Sequence, residues 1–279
     1  MFSSLLRLAV VAASLNSAGA VNILFVGNSF TYAKFEPALS YNKDSITDVN
    51  NMGFGGVPGI FKKLADTAGL DYNVTIEAVG GQTLEYHYET HASIIAQPQW
   101  EIVVLQEYST LPCPTSRTGN PTLFAQGVSN VIGLVRANSN ATIYLYETWV
   151  RPDLVYPADT PYEGTDIHEM QTDLHDGYTL EAGKNSVAGT AWVGDAFVRA
   201  VDVGLSDGNP YDNITATLDV WGSDHYHPSV YGSYLSAVTI FSTITGVDAT
   251  AIPNGDDTAA SGLGISSDLA TQLQAVSAA

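Results

Sequence analysis

The feature that most restricts what this chain can become is an alternation. Five apolar runs, at 23–26, 74–79, 101–107, 141–149 and 187–193, read as buried strands, and the segments between them carry helical periodicity. One helix is predicted over 58–68, where Ile60, Phe61, Leu64, Ala65 and Ala68 share a face and Gly69 supplies the stop. Others are predicted over 82–96, 123–137, 167–180 and 229–245. Strands joined through helices must run parallel, because a parallel neighbour is reached only by a crossover, and the helices then cover both sheet faces. The expectation is an α/β fold: a single three-layer α/β/α domain over 21–279, with a mainly five-stranded parallel sheet. No linker, internal repeat or low-complexity tract interrupts it.

The start of the chain reads differently. Residues 1–20 combine Arg7, an apolar centre and small residues at Ala18 and Ala20, the pattern of a secretory signal peptide cut after Ala20. No run approaches the roughly 18 apolar residues that a membrane helix needs. The mature protein is therefore expected outside the cell, without a membrane partner. Asn-x-Ser/Thr sequons at Asn73, Asn140 and Asn213 become glycosylation sites on that reading. A single cysteine, Cys113, excludes an internal disulfide and reads as a packed small hydrophobe. With 29 acidic against 10 basic residues, the formal net charge of −19 repels phosphate-rich partners and argues against nucleic acid.

The long connections follow strands rather than helices, at 31–58, 108–121, 150–164 and 205–227. In an open parallel sheet all of these lie at the carboxyl edge, where ligands bind. The first strand leads there into "ILFVGNSFTY", and so presents Ser29. A serine nucleophile needs a base, and the base needs an orienting acid. "DHYHPS", just before the last helix, offers Asp224 and His227 three residues apart. His225 competes with His227, but its place directly beside Asp224 points it away.

Simpler uses exist for each residue. Ser29 fits a helix cap, and Pro228 fits the first position of a capped helix. "GLSDG" at 204–208 matches G-x-S-x-G literally, yet 196–203 reads as helix and a turn follows, so Ser206 is a loop residue. His87 and His91 stand at metal-compatible helical spacing, but the glutamate of a zinc-protease motif is missing and a structural histidine pair is the better reading.

With those residues in hand, the chain resembles the SGNH (GDSL-like) hydrolase superfamily, in a branch without a well-defined activity. "GNSFT" resembles its first block, "VGGQTL" its second and "DHYHPS" its last, with "WVGDAF" and Gly232 also similar to this branch. The resemblance spans the mature chain and implies a flavodoxin-like SGNH fold. It further implies Ser29, Asp224 and His227 as a catalytic triad, and the N–H groups of Ser29 and Gly81 as oxyanion donors. The third block departs from the family's G-x-N-D: "LQEYS" places Gln106 where the amide donor should stand.

The expected function is a secreted serine esterase without metal or cofactor, acting on an O-acyl ester of an extracellular polysaccharide, or on a small-molecule, lipid or polyester ester. Tyr32, Phe35, Tyr108, Trp149, Tyr156, Trp221 and Tyr226 are candidates to line its site. A carbohydrate-binding scaffold without turnover is the rival, supported by the altered third block. A nucleotide-binding module lacks G-x-G-x-x-G after the first strand.

Overall fold

Six strands, β1 (Val21–Gly27), β2 (Thr47–Asp48), β3 (Tyr72–Ala78), β4 (Ile102–Leu105), β5 (Thr142–Tyr146) and β6 (Gly189–Ala191), pair in the order β2-β3-β1-β4-β5-β6. Every neighbouring pair is parallel. The computed structural model describes residues 19–212 and 216–278. Residues 1–18, most of the expected leader, and Asn213 lie outside the described residues.

The sheet has six strands rather than the expected five. The extra one, β2, sits inside the first long connection and pairs with β3 through Thr47 and Asp48 alone. Two polar residues carry no periodicity, so nothing in the sequence marks them as a strand. Apart from β2, the order is that of a flavodoxin-like doubly wound sheet, whose switch point falls between β1 and β4. Successive crossovers leave that point toward opposite faces, which opens a crevice at the carboxyl ends of the two strands.

The helices follow in order: α1 (Ser29–Tyr32), α2 (Gly56–Thr67), α3 (Leu84–Thr90), α4 (Ala92–Ile95), α5 (Pro121–Asn138), α6 (Pro152–Val155), α7 (Ile167–Asn185), α8 (Val193–Asp202), α9 (Val230–Thr245), α10 (Ala259–Gly262) and α11 (Ser267–Ala278). The pleat of β1 divides the core between them. Ile23 and Phe25 face the layer containing α2, α8, α9 and α11, while Leu24 and Val26 face α3 and α5. All four are fully buried. Phe25 meets Phe61 of α2 edge-on with ring centroids 5.5 Å apart. Each such large side chain contributes about 1.5–3 kcal/mol by leaving water.

The helix predicted over 82–96 breaks at His91, whose φ of −121° and ψ of 19° separate α3 from α4. Its ring and that of His87 turn toward the fully buried Glu77, with Nδ1 atoms 3.5 and 2.6 Å from the carboxylate. Cys113 is fully buried, and burial pushes its thiol up to about 12. Asn73 and Asn140 are exposed. No helix of the described residues is long and apolar enough to cross a membrane.

Candidate active site

The carboxyl end of β1 turns sharply into α1 through Asn28. Its side-chain Oδ1 accepts the Phe30 N–H at 3.1 Å, capping the short helix, and its Nδ2 donates to the Gln82 carbonyl at 3.0 Å. This ties the end of β1 to the loop that follows β3. Ser29, the first residue of α1, is thereby held at the switch point and is 5% exposed.

The loop before α9 approaches the same point. The N–H of Gly222 donates to the His227 carbonyl at 2.7 Å, and the Ser229 N–H to the Val220 carbonyl at 2.9 Å, folding 220–229 back on itself. Trp149 Nε1 donates to the Tyr226 carbonyl at 3.1 Å and anchors the loop to the end of β5. The result is a continuous chain of polar contacts: Ser29 Oγ lies 2.9 Å from His227 Nε2, and His227 Nδ1 lies 2.7 Å from Asp224 Oδ2. Asp224 Oδ1 accepts the backbone N–H groups of Tyr226 and His227 at 3.1 and 2.9 Å, so the carboxylate is fixed at both oxygens.

The electrostatics suit a neutral base beside an ionised acid. Burial, reinforced by the positive charges of Lys34 and Arg151, outweighs Asp224 and holds the His227 imidazole below its ordinary value. Partial burial of Asp224 raises its carboxyl, but the hydrogen bonds from His227 and Tyr226 and the pairing with the imidazole prevail and keep it below the usual carboxylate range.

Gly81 lies on the neighbouring loop with φ of +73°, a left-handed conformation that a Cβ would strain. Among the described residues, neither the N–H of Gly81 nor that of Ser29 donates to a protein acceptor.

Gln106 reaches the site in a different capacity from the one expected. It is 1% exposed, and its side-chain oxygen accepts both the Asn28 N–H and the Thr31 hydroxyl at 2.9 Å. Its Nε2 donates to the Glu107 carbonyl. The amide is thus a strut beneath the turn that presents Ser29, because its longer side chain folds back into hydrogen bonds with the backbone. It is not a group turned toward the Ser29 side chain. Glu107 continues the support, accepting the N–H groups of Leu84 and Tyr108 at 3.0 and 2.6 Å.

The phenol closest to Ser29 in this turn belongs to Tyr32: burial raises its pKa and the neighbouring Ser29 hydroxyl offsets part of that rise. Its ring stacks on Phe54 at 4.0 Å, and a Cβ added to Gly80 would stand only 2.7 Å from its hydroxyl. The absence of a side chain at Gly80 therefore makes room for the Tyr32 hydroxyl beside the Gly80–Gly81 turn. Tyr32 was expected only as one aromatic of the rim. Its spacing from Ser29, one helical turn, is a usable signal only once α1 is known to be a helix.

Of the other aromatic candidates, Phe35, Tyr108, Tyr156 and Tyr226 are half-buried. Trp149 and Trp221 belong to the core: Trp149 is sandwiched between Phe30 at 3.9 Å and Phe197 at 4.7 Å. Arg151 lies over the Tyr226 ring at 3.5 Å and pairs with Asp153 at 2.6 Å, bringing a cation to the rim of a strongly acidic molecule. His225 turns toward Tyr211 rather than Asp224. Ser206 is a buried loop residue whose hydroxyl accepts the Val220 N–H at 3.1 Å, far from any elbow geometry.

No family model matches the sequence, and no curated protein matches it. Solved structures match its shape. A DUF4886 family protein from Bacteroides uniformis superposes with a TM-score of 0.62 at 16% identity, over 92% of this chain and 93% of that one. A Slackia heliotrinireducens protein assigned to the SGNH hydrolases gives 0.56 at 22% identity, over 81% and 100%. A mutant of an acetyl-xylooligosaccharide esterase from Geobacillus gives 0.52 at 16%, over 81% and 95%. The fold of this chain is that of the SGNH hydrolases.

Proposed function

We propose that this protein is a serine esterase. The observation that carries the reading is the Ser29–His227–Asp224 relay, with contacts of 2.9 and 2.7 Å, at the switch point of the sheet. Ser29 Oγ attacks the ester carbonyl carbon as His227 Nε2 takes its proton, and Asp224 stabilises the imidazolium that forms. The tetrahedral oxyanion accepts hydrogen bonds from the N–H groups of Ser29 and Gly81 and from the Tyr32 hydroxyl. Collapse expels the alcohol, which leaves with the proton from Nε2. Water then attacks the acyl-enzyme, gives its proton to Nε2, and releases the acid as Ser29 recovers its own.

Its substrate, in our reading, is an O-acetyl ester on an extracellular glycan. The signal-peptide pattern, the rim of Tyr32, Phe35, Tyr108 and Tyr226, and the presence of an acetyl-xylooligosaccharide esterase among proteins of the same fold support this. Aromatic faces stack on sugar rings and give such a rim a way to hold a glycan.

A fluorophosphonate probe, applied beside a Ser29→Ala control, tests the reaction class. Label confined to Ser29 is expected. No label on folded protein would leave a carbohydrate-binding scaffold as the reading. Turnover of acetylated xylan against p-nitrophenyl esters of increasing chain length then tests the substrate: preference for long acyl chains removes the glycan acetate and keeps the esterase.

A further inference from the structure

A second cluster of ionisable groups stands at the ends of β5 and β6, away from Ser29. Glu147 follows β5 directly and is fully buried, Asp195 lies in the first turn of α8, and His175 comes from α7. One ligand atom from each falls within 4.8 Å of the other two. His175 Nδ1 lies 2.9 Å from Asp195 Oδ2 and 3.6 Å from Glu147 Oε1.

The outer oxygens are already held. Glu147 Oε2 accepts the Asp195 N–H at 3.1 Å, and Asp195 Oδ1 accepts from Gln171 Nε2 at 3.2 Å. His175 is set by stacking on Trp192 at 4.3 Å. Each carboxylate therefore has one oxygen fixed by the surrounding fold and the other turned inward. Glu147 Oε1, in a fully buried side chain, makes no hydrogen bond among the described residues, with His175 Nδ1 standing off at 3.6 Å. A buried carboxylate oxygen left in that state is costly unless something else meets it.

The geometry points to a divalent transition-metal site, with Glu147, His175 and Asp195 as its three protein ligands and zinc as the cation whose preferences they match. One imidazole nitrogen and two carboxylate oxygens are ordinary zinc ligands, and bonds of about 2.1 Å in a tetrahedron put ligand atoms roughly 3.4 Å apart. The observed 2.9 and 3.6 Å straddle that spacing. Hydrogen bonds to the outer oxygens are the usual means of orienting metal-binding carboxylates. A cavity of about 300 Å3 adjoins the cluster and gives ions access from solvent. Arg199 lines it too, but its Nε donates to the Val276 carbonyl at 2.7 Å, and a single guanidinium does not offset two carboxylates. The inference does not depend on the esterase reading.

The test uses the full mature chain, stripped with a chelator, dialysed, and titrated with zinc ion against a competing indicator while thermal unfolding is followed. One equivalent should bind and raise the unfolding temperature. Glu147→Gln and His175→Ala should each weaken binding by at least about tenfold. His91→Ala and His227→Ala should leave it in place, which separates this cluster from the other histidines. Should either ligand variant fail to fold, Asp195→Asn, at a partly exposed side chain, must show the same weakening. Absence of stoichiometric binding overturns the proposal, as does binding unchanged in the ligand variants. None of these measurements reads ester turnover.

Discussion

Asp224 and Glu107 are two carboxylates at the candidate active site, and they are bound in much the same way. Each accepts two backbone N–H groups, from Tyr226 and His227 in one case and from Leu84 and Tyr108 in the other. Their acidities nevertheless diverge. Asp224 is held below the usual carboxylate range, while Glu107 is pushed up to about 8. Burial raises both; the difference is that Asp224 is only partly buried and has the His227 imidazole 2.7 Å away, whereas Glu107 is fully buried and, among the described residues, makes no ion pair. Hydrogen bonds alone do not decide whether a carboxyl is charged. A counterion and access to water do. The balance favours the charged form of Asp224 beside His227 and the protonated form of Glu107 beneath the loops that carry Ser29 and Gly81.

The largest expected effect breaks the charged member. Asp224→Asn keeps acceptors for the two backbone N–H groups but presents the wrong group to His227 Nδ1, and should lower kcat by about 10^4-fold with the fold intact by circular dichroism. Near-normal turnover would remove Asp224 from the relay. Next comes the oxyanion side. Tyr32→Phe keeps the ring against Phe54 and removes only the hydroxyl, so kcat should fall about 10^2-fold with KM little changed. A change confined to KM would make Tyr32 a substrate contact instead.

The neutral member is tested through stability. Its carboxyl titrates at about 8 in the folded chain against an ordinary value of 4.5. The unfolded chain therefore loses this proton first, so the stabilising contribution is complete below the unfolded value and is lost as pH rises toward the folded one. Glu107→Gln cannot ionise, and its unfolding temperature should fall less than that of the parent between pH 5 and pH 8. Parallel pH curves for the two proteins would mean that Glu107 is charged in the fold.

The smallest effect concerns the base. Because burial holds His227 below its ordinary value, the acid limb of kcat/KM should lie below the ordinary histidine range, near 6.5, with activity rising as pH rises through it. Lys34 contributes to that depression, so Lys34→Gln should move the limb to higher pH. A shift to lower pH would show that the limb reports another group.

Much of this arrangement is readable in the sequence. Ile23 to Val26 announced a doubly buried strand, and the D-x-x-H spacing placed an acid and a base on one short loop. Other parts left no such signal. β2 is two polar residues whose pairing exists only because β3 lies beside them. The Gln106 amide folds back to the Asn28 N–H and a one-turn helix brings Tyr32 round toward Ser29, because the direction of a side chain depends on the backbone beneath it. Trp149 and Trp221 looked like rim aromatics and proved to be core, since a loop that folds back onto a sheet buries what it carries.

By itself, the sequence determined the layered parallel architecture, the carboxyl edge as the place for chemistry, and the residues able to act as nucleophile, base and acid. These depend on periodicity and short spacings, which local backbone geometry converts directly into positions. Only the tertiary structure decided which partners meet across long stretches of chain: Ser29 with His227, Tyr32 with the space left by Gly80, and Glu147 with His175 and Asp195. It also set the surroundings that push the carboxyls of Asp224 and Glu107 in opposite directions. Those outcomes depend on burial and on distances between elements remote in sequence, quantities that exist only after the sheet and its helices have packed.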